Sequence, residues 1–169
     1  MIYPIVKFGA PVLEKPAARI TVFDDELRKL ADDMFESMYA AHGVGLAAPQ
    51  IGIAKRIAVI DVTFKEDPNA KIVLVNPEIV HTEGKQTSTE GCLSLPEFRE
   101  NVTRPLKVTA RAQDLDGKTI EIKGEELLAR ALSHETDHLN GKLFITHISR
   151  LKRDLIKRKI RKLMKQGEW

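Results

Sequence analysis

The spacing of apolar residues changes along this chain, and that change restricts its fold more than any other feature. Residues 24–41 carry apolar side chains at intervals of three and four, which predicts a helix. Residues 56–62 and 72–80 are instead rich in valine and isoleucine and are predicted strands. Helical spacing returns in residues 125–139, and again in residues 148–165, so two further helices are expected.

A hairpin is predicted between the second predicted strand and the second predicted helix. Residues 108–113 and 119–122 alternate polar and apolar side chains around Asp116 and Gly117. An Asp-Gly pair between two such runs is a strong signal for a tight turn. The order helix, antiparallel strands, helix, helix predicts an α+β fold with a helix packed on a sheet. Met34 and Met38 fall on the apolar face of the first helix and are expected in its core.

Length and cysteine content exclude several classes of protein. The 169 residues suit one domain with a sizeable core, and no apolar run is long enough to span a bilayer. The first ten residues lack the pattern of a signal peptide, so a cytoplasmic location is expected. Cys92 is the single cysteine, which excludes an internal disulfide.

Positive charge is concentrated in the last predicted helix. Residues 150–169 hold nine Lys or Arg and two acids, a net of +7, so the other 149 residues carry +3 − 7 = −4. We expect a single catalytic domain over residues 1–147, with the basic helix 148–169 packed on it through a stripe that includes Leu151 and Leu155. The cationic side of this helix is either simply solvated or attracted to RNA.

The first candidate chemical site is the sequence His134-Glu135-Thr136-Asp137-His138. Helix positions four apart differ by roughly 40° around the axis, so both histidines point the same way and can bind one metal ion. Glu135 can then take a proton from the water on that ion. The two histidines extend the apolar stripe of Leu127 and Ala131, which places them towards the interior. A chance pattern on a helix surface is the alternative.

Two other stretches strengthen the metal interpretation. Cys92 lies in a Glu-Gly-Cys-Leu-Ser-Leu-Pro segment and can supply a third ligand that leaves one tetrahedral position open for water. Taken alone, a cysteine of this kind is more often a buried structural residue. The stretch 43–50 has two glycines and ends at Gln50, whose amide can stabilise an oxyanion. For this stretch alone, an ordinary helix stop and loop with a solvated Gln50 is the favoured interpretation.

Together the three stretches resemble the signature motifs of the peptide deformylases. The family patterns are G-φ-G-L-A-A-x-Q, E-G-C-L-S and H-E-x-D-H, where φ is apolar. They match residues 43–50, 90–94 and 134–138, in the family's order. The resemblance covers roughly the whole chain, including the basic helix. It implies antiparallel β-sheets packed around a central metal-binding helix, with a further N-terminal helix and a C-terminal basic helix. The departures from the family pattern are small. Ser133 stands where many members have glutamine, and Arg130 stands where some have an aliphatic residue near the pocket rim.

The resemblance also implies a role for each matching residue. Cys92, His134 and His138 correspond to the metal ligands, and Glu135 to the general acid and base. The oxyanion donors correspond to the Gln50 side chain and the Leu93 backbone N–H. Further positions correspond to residues that hold the substrate backbone or line the methionine pocket: Val44, Gly45, Gly91, Leu127 and Ala131.

The implied reaction is removal of the formyl group from N-formylmethionyl peptides, with release of formate. Hydroxide on one divalent metal ion attacks the formyl carbon, and Glu135 moves the proton. Ferrous iron is the family's usual metal, and zinc, nickel or cobalt are also accepted. The ribosome, reached through the basic helix, is the expected macromolecular partner, with no role for a membrane or DNA.

Three rival functions remain from the residues alone. The His-Glu-x-x-His pattern also suits a metallopeptidase, although such enzymes typically use histidine or glutamate as third ligand. The basic helix suits an RNA-binding module without enzyme activity, and Cys92 a thiol redox protein, although it has no resolving partner. Other candidate residues receive structural roles. His42, His81 and His147 are expected in surface or loop positions, Asp137 in an ion pair with Arg104, and Trp169 in a frayed end.

Overall fold

The structure, a computed structural model, describes residues 1–169. It contains three α-helices and seven strands, so the α+β prediction is confirmed. No helix has the length and apolar character needed to cross a membrane. In chain order the elements are α1 Asp25–Ala40, β1 Gly45–Ala47, β2 Ile57–Ile60, β3 Ile72–Glu83, β4 Gln86–Cys92, β5 Leu95–Arg104, β6 Lys107–Gln113, β7 Thr119–Glu125, α2 Leu127–Leu139 and α3 Arg150–Lys165.

The strands form two antiparallel sheets. Five of them make one sheet in the order β1-β2-β3-β6-β7, and β4 pairs with β5 in a separate two-stranded ribbon. The predicted hairpin is β6–β7, where Gln113 pairs with Thr119 and Gly117 takes a φ of 81° in the turn. A left-handed φ of this kind suits glycine, which explains the Asp-Gly signal.

Helix α1 forms as its spacing predicts. The Asp24 side chain caps it by accepting a hydrogen bond from the backbone N–H of Leu27 at 3.1 Å. Its buried face includes Met34 and Met38, both fully buried, which confirms their place in the core.

Helix α2 lies at the centre of the molecule, with ten of its thirteen residues buried. It packs against β1, β2, β6 and β7 of the large sheet and also reaches β5 of the ribbon. The helix begins at Leu127 and not at residue 125, because Glu125 still pairs with Lys107 at the end of β7. Glu126 has a φ of 52°, which no α-helix accommodates.

The β4–β5 ribbon is absent from the sequence-based prediction. Its side chains are largely polar, and Thr87 and Thr103 face each other across it with their hydroxyl oxygens 2.8 Å apart. Such a pattern lacks the Val and Ile enrichment by which the other strands are recognised. A register shift at Gly91 and Cys92 ends the regular pairing where the ribbon meets α2.

Two expectations for the end of the chain are wrong. Leu151 and Leu155 are 71% and 43% exposed, and α3 instead buries Ile156 and Ile160. Trp169 is not frayed, because its indole Nε1–H donates to the carbonyl oxygen of Phe8 at 2.8 Å.

Candidate metal centre and active site

Three potential metal ligands converge where the ribbon meets the central helix. Cys92 ends β4, and His134 and His138 lie one turn apart on α2. Their ligand atoms all lie within 4.8 Å of one another. The Cys92 Sγ is 3.3 Å from His138 Nε2, which is 3.1 Å from His134 Nε2. The structure therefore brings together the three residues that the motifs indicated.

The chemistry of these donors fits a transition-metal ion. A thiolate and two imidazoles are the ligand types that zinc or ferrous iron accepts, whereas magnesium prefers oxygen. The carboxylate Oε2 of Glu90 lies 2.7 Å from His134 Nδ1 and can only accept, so Nδ1 carries the proton. With Nδ1 protonated, it is Nε2 of His134 that faces the other two ligands and can offer a lone pair to a metal ion once its own proton has left. Three protein ligands leave a fourth tetrahedral position for water.

The two histidines differ in how their surroundings affect the proton. Burial and the nearby charge of His134 lower the pKa of His138 well below its ordinary value. Burial also lowers the pKa of His134, but Glu135, Cys92 and Glu90 together raise it well above 6.5. A metal ion bound here replaces that proton, so the affinity of such a site falls as the pH falls.

Glu90 organises a set of buried charges behind the ligands. Arg104 donates to both of its oxygens, with Nε–Oε1 at 3.1 Å and Nη2–Oε2 at 2.7 Å. Arg130 donates from Nη1 to Oε1 at 2.7 Å. Burial alone raises the pKa of Glu90, but the hydrogen bonds from His134 and Arg104 lower it far more, so the carboxylate stays ionised. We call Glu90, Arg104, Arg130 and Asp137 the Glu90 network.

Asp137 links the Glu90 network to His147. The Asp137 Oδ2 accepts from Arg104 Nη1 at 2.6 Å, which is the predicted ion pair. It also lies 2.7 Å from Nε2 of His147, which was expected only to occupy the surface. Burial raises the pKa of Asp137, but the hydrogen bonds from His147 and Arg104 outweigh it, and the net shift is downward.

Sequence reasoning named Glu90 only as a motif member and gave it no role. An available signal is chemical: a histidine that binds metal almost always donates its other N–H to a carboxylate or carbonyl. Arg130 does line the pocket, as expected, but it is only 6% exposed. Its guanidinium is held by Glu90 and by the carbonyl oxygen of Val102.

Glu135 lies next to the ligand group on α2 and is 4% exposed. Its Oε1 is buried without a hydrogen-bond partner, and burial raises its pKa to about 7. Gly45 of β1 makes room for it, because a Cβ on Gly45 would lie 2.4 Å from Glu135 Oε2. A carboxyl that has an oxygen without a hydrogen-bond partner and a pKa near neutrality suits proton transfer.

The Gln50 side chain is 1% exposed, so it is not a solvated loop residue. Its Oε1 accepts from the Ala47 backbone N–H at 2.9 Å, which fixes the amide orientation. The Nε2 group then faces Cys92 Sγ at 3.4 Å and Ser94 Oγ at 3.3 Å. Gln50 thus presents an N–H donor beside the ligand group.

A cavity of about 440 Å³ opens in front of these residues. Its wall includes Cys92, His134, Glu135, Gln50 and Leu93, while His138 lies behind it. The five predicted substrate-binding positions also lie in the wall: Val44, Gly45, Gly91, Leu127 and Ala131. Leu127 is 51% exposed, so it lies at the mouth of the cavity and does not continue the interior stripe as expected.

Comparison with known proteins gives a consistent result over the whole chain. The family described as polypeptide deformylase matches residues 2–154. A peptide deformylase of Acidobacterium capsulatum is 64% identical over 169 residues, which cover 100% of this chain and 99% of that protein. The peptide deformylase of Endomicrobium trichonymphae is 48% identical over 167 residues, covering 98% and 97%.

Solved structures agree with these relatives. A crystal structure of a peptide deformylase from Legionella pneumophila superposes with a TM-score of 0.90 at 46% identity, covering 99% of this chain and 98% of that chain. A peptide deformylase from Synechococcus elongatus in complex with actinonin gives 0.87 at 39% identity, covering 98% and 88%.

Proposed function

Because the chain belongs to the polypeptide deformylase family, we propose that it removes the N-formyl group from the N-terminal formylmethionine of newly made polypeptides and releases formate. The convergence of Cys92, His134 and His138 beside the unpaired carboxyl oxygen of Glu135 supports this activity most directly. The cavity in front of them has room for a methionine side chain and a short stretch of peptide.

In the proposed reaction, Cys92, His134 and His138 hold one divalent ion. When bound, this ion supplies a Lewis acid that activates water near neutral pH and polarises the formyl carbonyl group. Glu135 accepts the proton of the attacking water on its free carboxylate and delivers it to the leaving amine. The position of Glu135 in the cavity wall, in contact with Gly45, supports both transfers.

Gln50 and Leu93 are the proposed donors to the oxygen on which negative charge develops. The Gln50 amide is held by Ala47, so its Nε2–H is oriented before the substrate arrives. Pre-oriented donors stabilise charge without reorganising during the reaction, and removal of one typically costs about 10²–10³ in rate. Val44, Gly45, Gly91, Leu127 and Ala131 are proposed to hold the substrate backbone and its methionine side chain.

We further propose ferrous iron as the native ion, with zinc, nickel or cobalt as substitutes. A thiolate and two imidazoles suit each of these ions. Ferrous iron beside a thiolate is prone to oxidation, so iron-containing protein is expected to lose activity in air. Zinc has no redox chemistry, so a zinc form is expected to retain activity under the same exposure.

The first test is formate release from formyl-Met-Ala-Ser by protein purified without oxygen, together with metal analysis. We expect release to stop on chelation and to return on adding ferrous iron, with about one ion per chain because there is a single Cys-His-His group. Met-Ala-Ser without the formyl group serves as the control and is expected to stay intact. Cleavage of its peptide bonds, or no formate from metal-loaded protein, contradicts the proposal.

The ribosome is the proposed partner of the basic helix. Arg158 and Arg161 are exposed on α3, so replacing both with glutamate changes the surface charge without disturbing Ile156 and Ile160. We expect weaker ribosome binding, with a salt dependence reduced by about one unit of slope per lost phosphate contact. Activity on formyl-Met-Ala-Ser is expected to stay unchanged.

The matched control replaces two exposed lysines of the β6–β7 hairpin, Lys118 and Lys123, with glutamate. This variant has the same net charge as the helix variant. Equal loss of ribosome binding in both variants indicates general attraction to the whole protein, and unchanged binding in the helix variant excludes the proposed contact.

A further inference from the structure

Trp169 packs against a side chain that belongs to the cavity wall. Its ring meets Phe98 in an edge-to-face arrangement, with centroids 5.9 Å apart and planes at 64°. Phe98 lies in β5 and lines the catalytic cavity. The two rings also contact the same group of buried residues that includes Leu95 and Phe144.

A second contact links Trp169 to the same wall through the start of the chain. The indole N–H donates to the carbonyl oxygen of Phe8, and the Phe8 backbone N–H donates to the carbonyl oxygen of Ser94, at 2.8 Å in each case. Ser94 in turn accepts from Gln50 through its hydroxyl group. Trp169 is therefore connected to both ends of the segment 94–98, of which residues 95–98 line the cavity.

We propose that Trp169 is a positioning residue for substrate binding, because it holds Phe98 and the segment 94–98 in place as a wall for the peptide. This inference rests on the proposed deformylase function. Trp169 is not among the cavity-lining residues and does not contact the substrate itself. Phe98 is only half-buried, so without the indole ring it gains rotational freedom that substrate binding must then remove.

The position of the contact predicts which kinetic constant changes. Trp169 makes no hydrogen bond or ring contact with Cys92, His134, His138 or Glu135, so the chemical step is expected to continue at its normal rate. Substrate binding depends on the wall, so KM for formyl-Met-Ala-Ser is expected to rise about three- to tenfold in Trp169→Ala, the range that a lost aromatic pair allows. Trp169→Phe keeps an aromatic ring against Phe98, and its KM is expected to stay within about twofold of wild type.

A double-mutant cycle tests whether Trp169 acts through Phe98. In a Phe98→Leu background, adding Trp169→Ala is expected to raise KM little further, because the partner ring is already absent. Leu151→Ala, an exposed change on α3, is the control for general effects on the end of the chain. Fully additive KM effects, or a Trp169→Phe variant as weak as Trp169→Ala, overturn the proposal.

Fluorescence provides a readout that a purely structural role does not affect. Trp169 is the single tryptophan of the chain, so emission excited at wavelengths that tyrosine does not absorb comes from this residue alone. Titrating the zinc-loaded enzyme with actinonin, the compound seen with the Synechococcus elongatus relative, is expected to change the emission in step with inhibition. The change is expected to shrink in Phe98→Leu. An emission that ignores actinonin while inhibition proceeds overturns the proposal, whereas a wild-type enzyme that releases no formate instead overturns the deformylase function.

Discussion

Replacing Glu135 with glutamine or alanine is expected to lower turnover of formyl-Met-Ala-Ser by about 10²–10⁴ while the metal ion stays bound. Both oxygens of Glu90 are engaged by arginine side chains, whereas Glu135 Oε1 has no partner. Glu135 is also absent from the Cys-His-His group that holds the ion. Its carboxylate is therefore free to move protons, and its loss removes that function without removing a ligand.

The melting temperature distinguishes a loss of catalysis in the Glu135 variants from a loss of the folded state. The pKa of Glu135 is raised from 4.5 to about 7 by burial, so the folded chain binds more protons than the unfolded chain between these values. Its stability therefore falls as the pH rises through that window. Glutamine cannot ionise and avoids this loss, so the metal-free Glu135→Gln variant is expected to melt at or above the wild-type temperature at pH 8.

Three measurements on the Glu135 variants test this role in proton transfer: metal content, melting temperature and initial rate. Glu97→Gln, which changes an exposed acid at the cavity wall, is the matched control and is expected to keep its metal and its fold. Substantial turnover in the metal-loaded Glu135→Ala variant excludes the assigned role. Loss of the ion in that variant indicates instead that Glu135 supports the ligands.

The elements predicted correctly from sequence are those with a local signal. Helix α1 has an apolar stripe and an aspartate cap, and the β6–β7 turn has an Asp-Gly pair. These signals act within a few residues, so a short stretch of the chain contains all that they require. The ribbon β4–β5 carries polar side chains and is ordered by its contact with α2 and the region after it, which no short window of sequence contains.

The candidate site shows the same division. His134 and His138 share a helix face, so their proximity follows from a spacing of four residues. The approach of Cys92 to them depends on tertiary packing, and the motif resemblance, not periodicity, indicated it. Trp169 and Phe98 are 71 positions apart, and the buried face of α3 is selected by what it packs against. Only the folded chain reveals such pairings.

Glu90 was missed for this reason, since its partners lie 14, 40 and 44 residues away in the sequence. Replacing it with glutamine is expected to destabilise the protein by about 3–5 kcal/mol, the usual cost of removing one member of a buried charge pair. The amide keeps the volume but loses the charge, which leaves Arg104 and Arg130 buried at 3% and 6% exposure without full compensation.

The same substitution is expected to weaken metal binding. The Glu90 carboxylate accepts the Nδ1–H of His134 and so fixes the orientation of that ring. Loss of such an outer contact typically costs about 10- to 100-fold in metal affinity. Competition with a chelator of known affinity measures this change. An unaltered affinity excludes the assigned contribution of Glu90 to the ligand group.

Denaturant unfolding of the metal-free protein separates stability from metal binding, and Glu125→Gln is its control. Glu125 pairs with Lys107 at 3.6 Å on the surface, where both side chains are more than half exposed, so its loss is expected to cost less than about 1 kcal/mol. The pKa of Glu90 is depressed, so its stabilising contribution is present above the ordinary value of 4.5 and is lost only as the pH falls well below it. The difference in free energy of unfolding between wild type and Glu90→Gln is therefore expected to reach its whole value at pH 7 and to become smaller in strong acid. If the two free energies of unfolding differ by less than about 1 kcal/mol at pH 7, Arg104 and Arg130 find other partners in the variant. The Glu90 network then does not hold helix α2 against the β4–β5 ribbon.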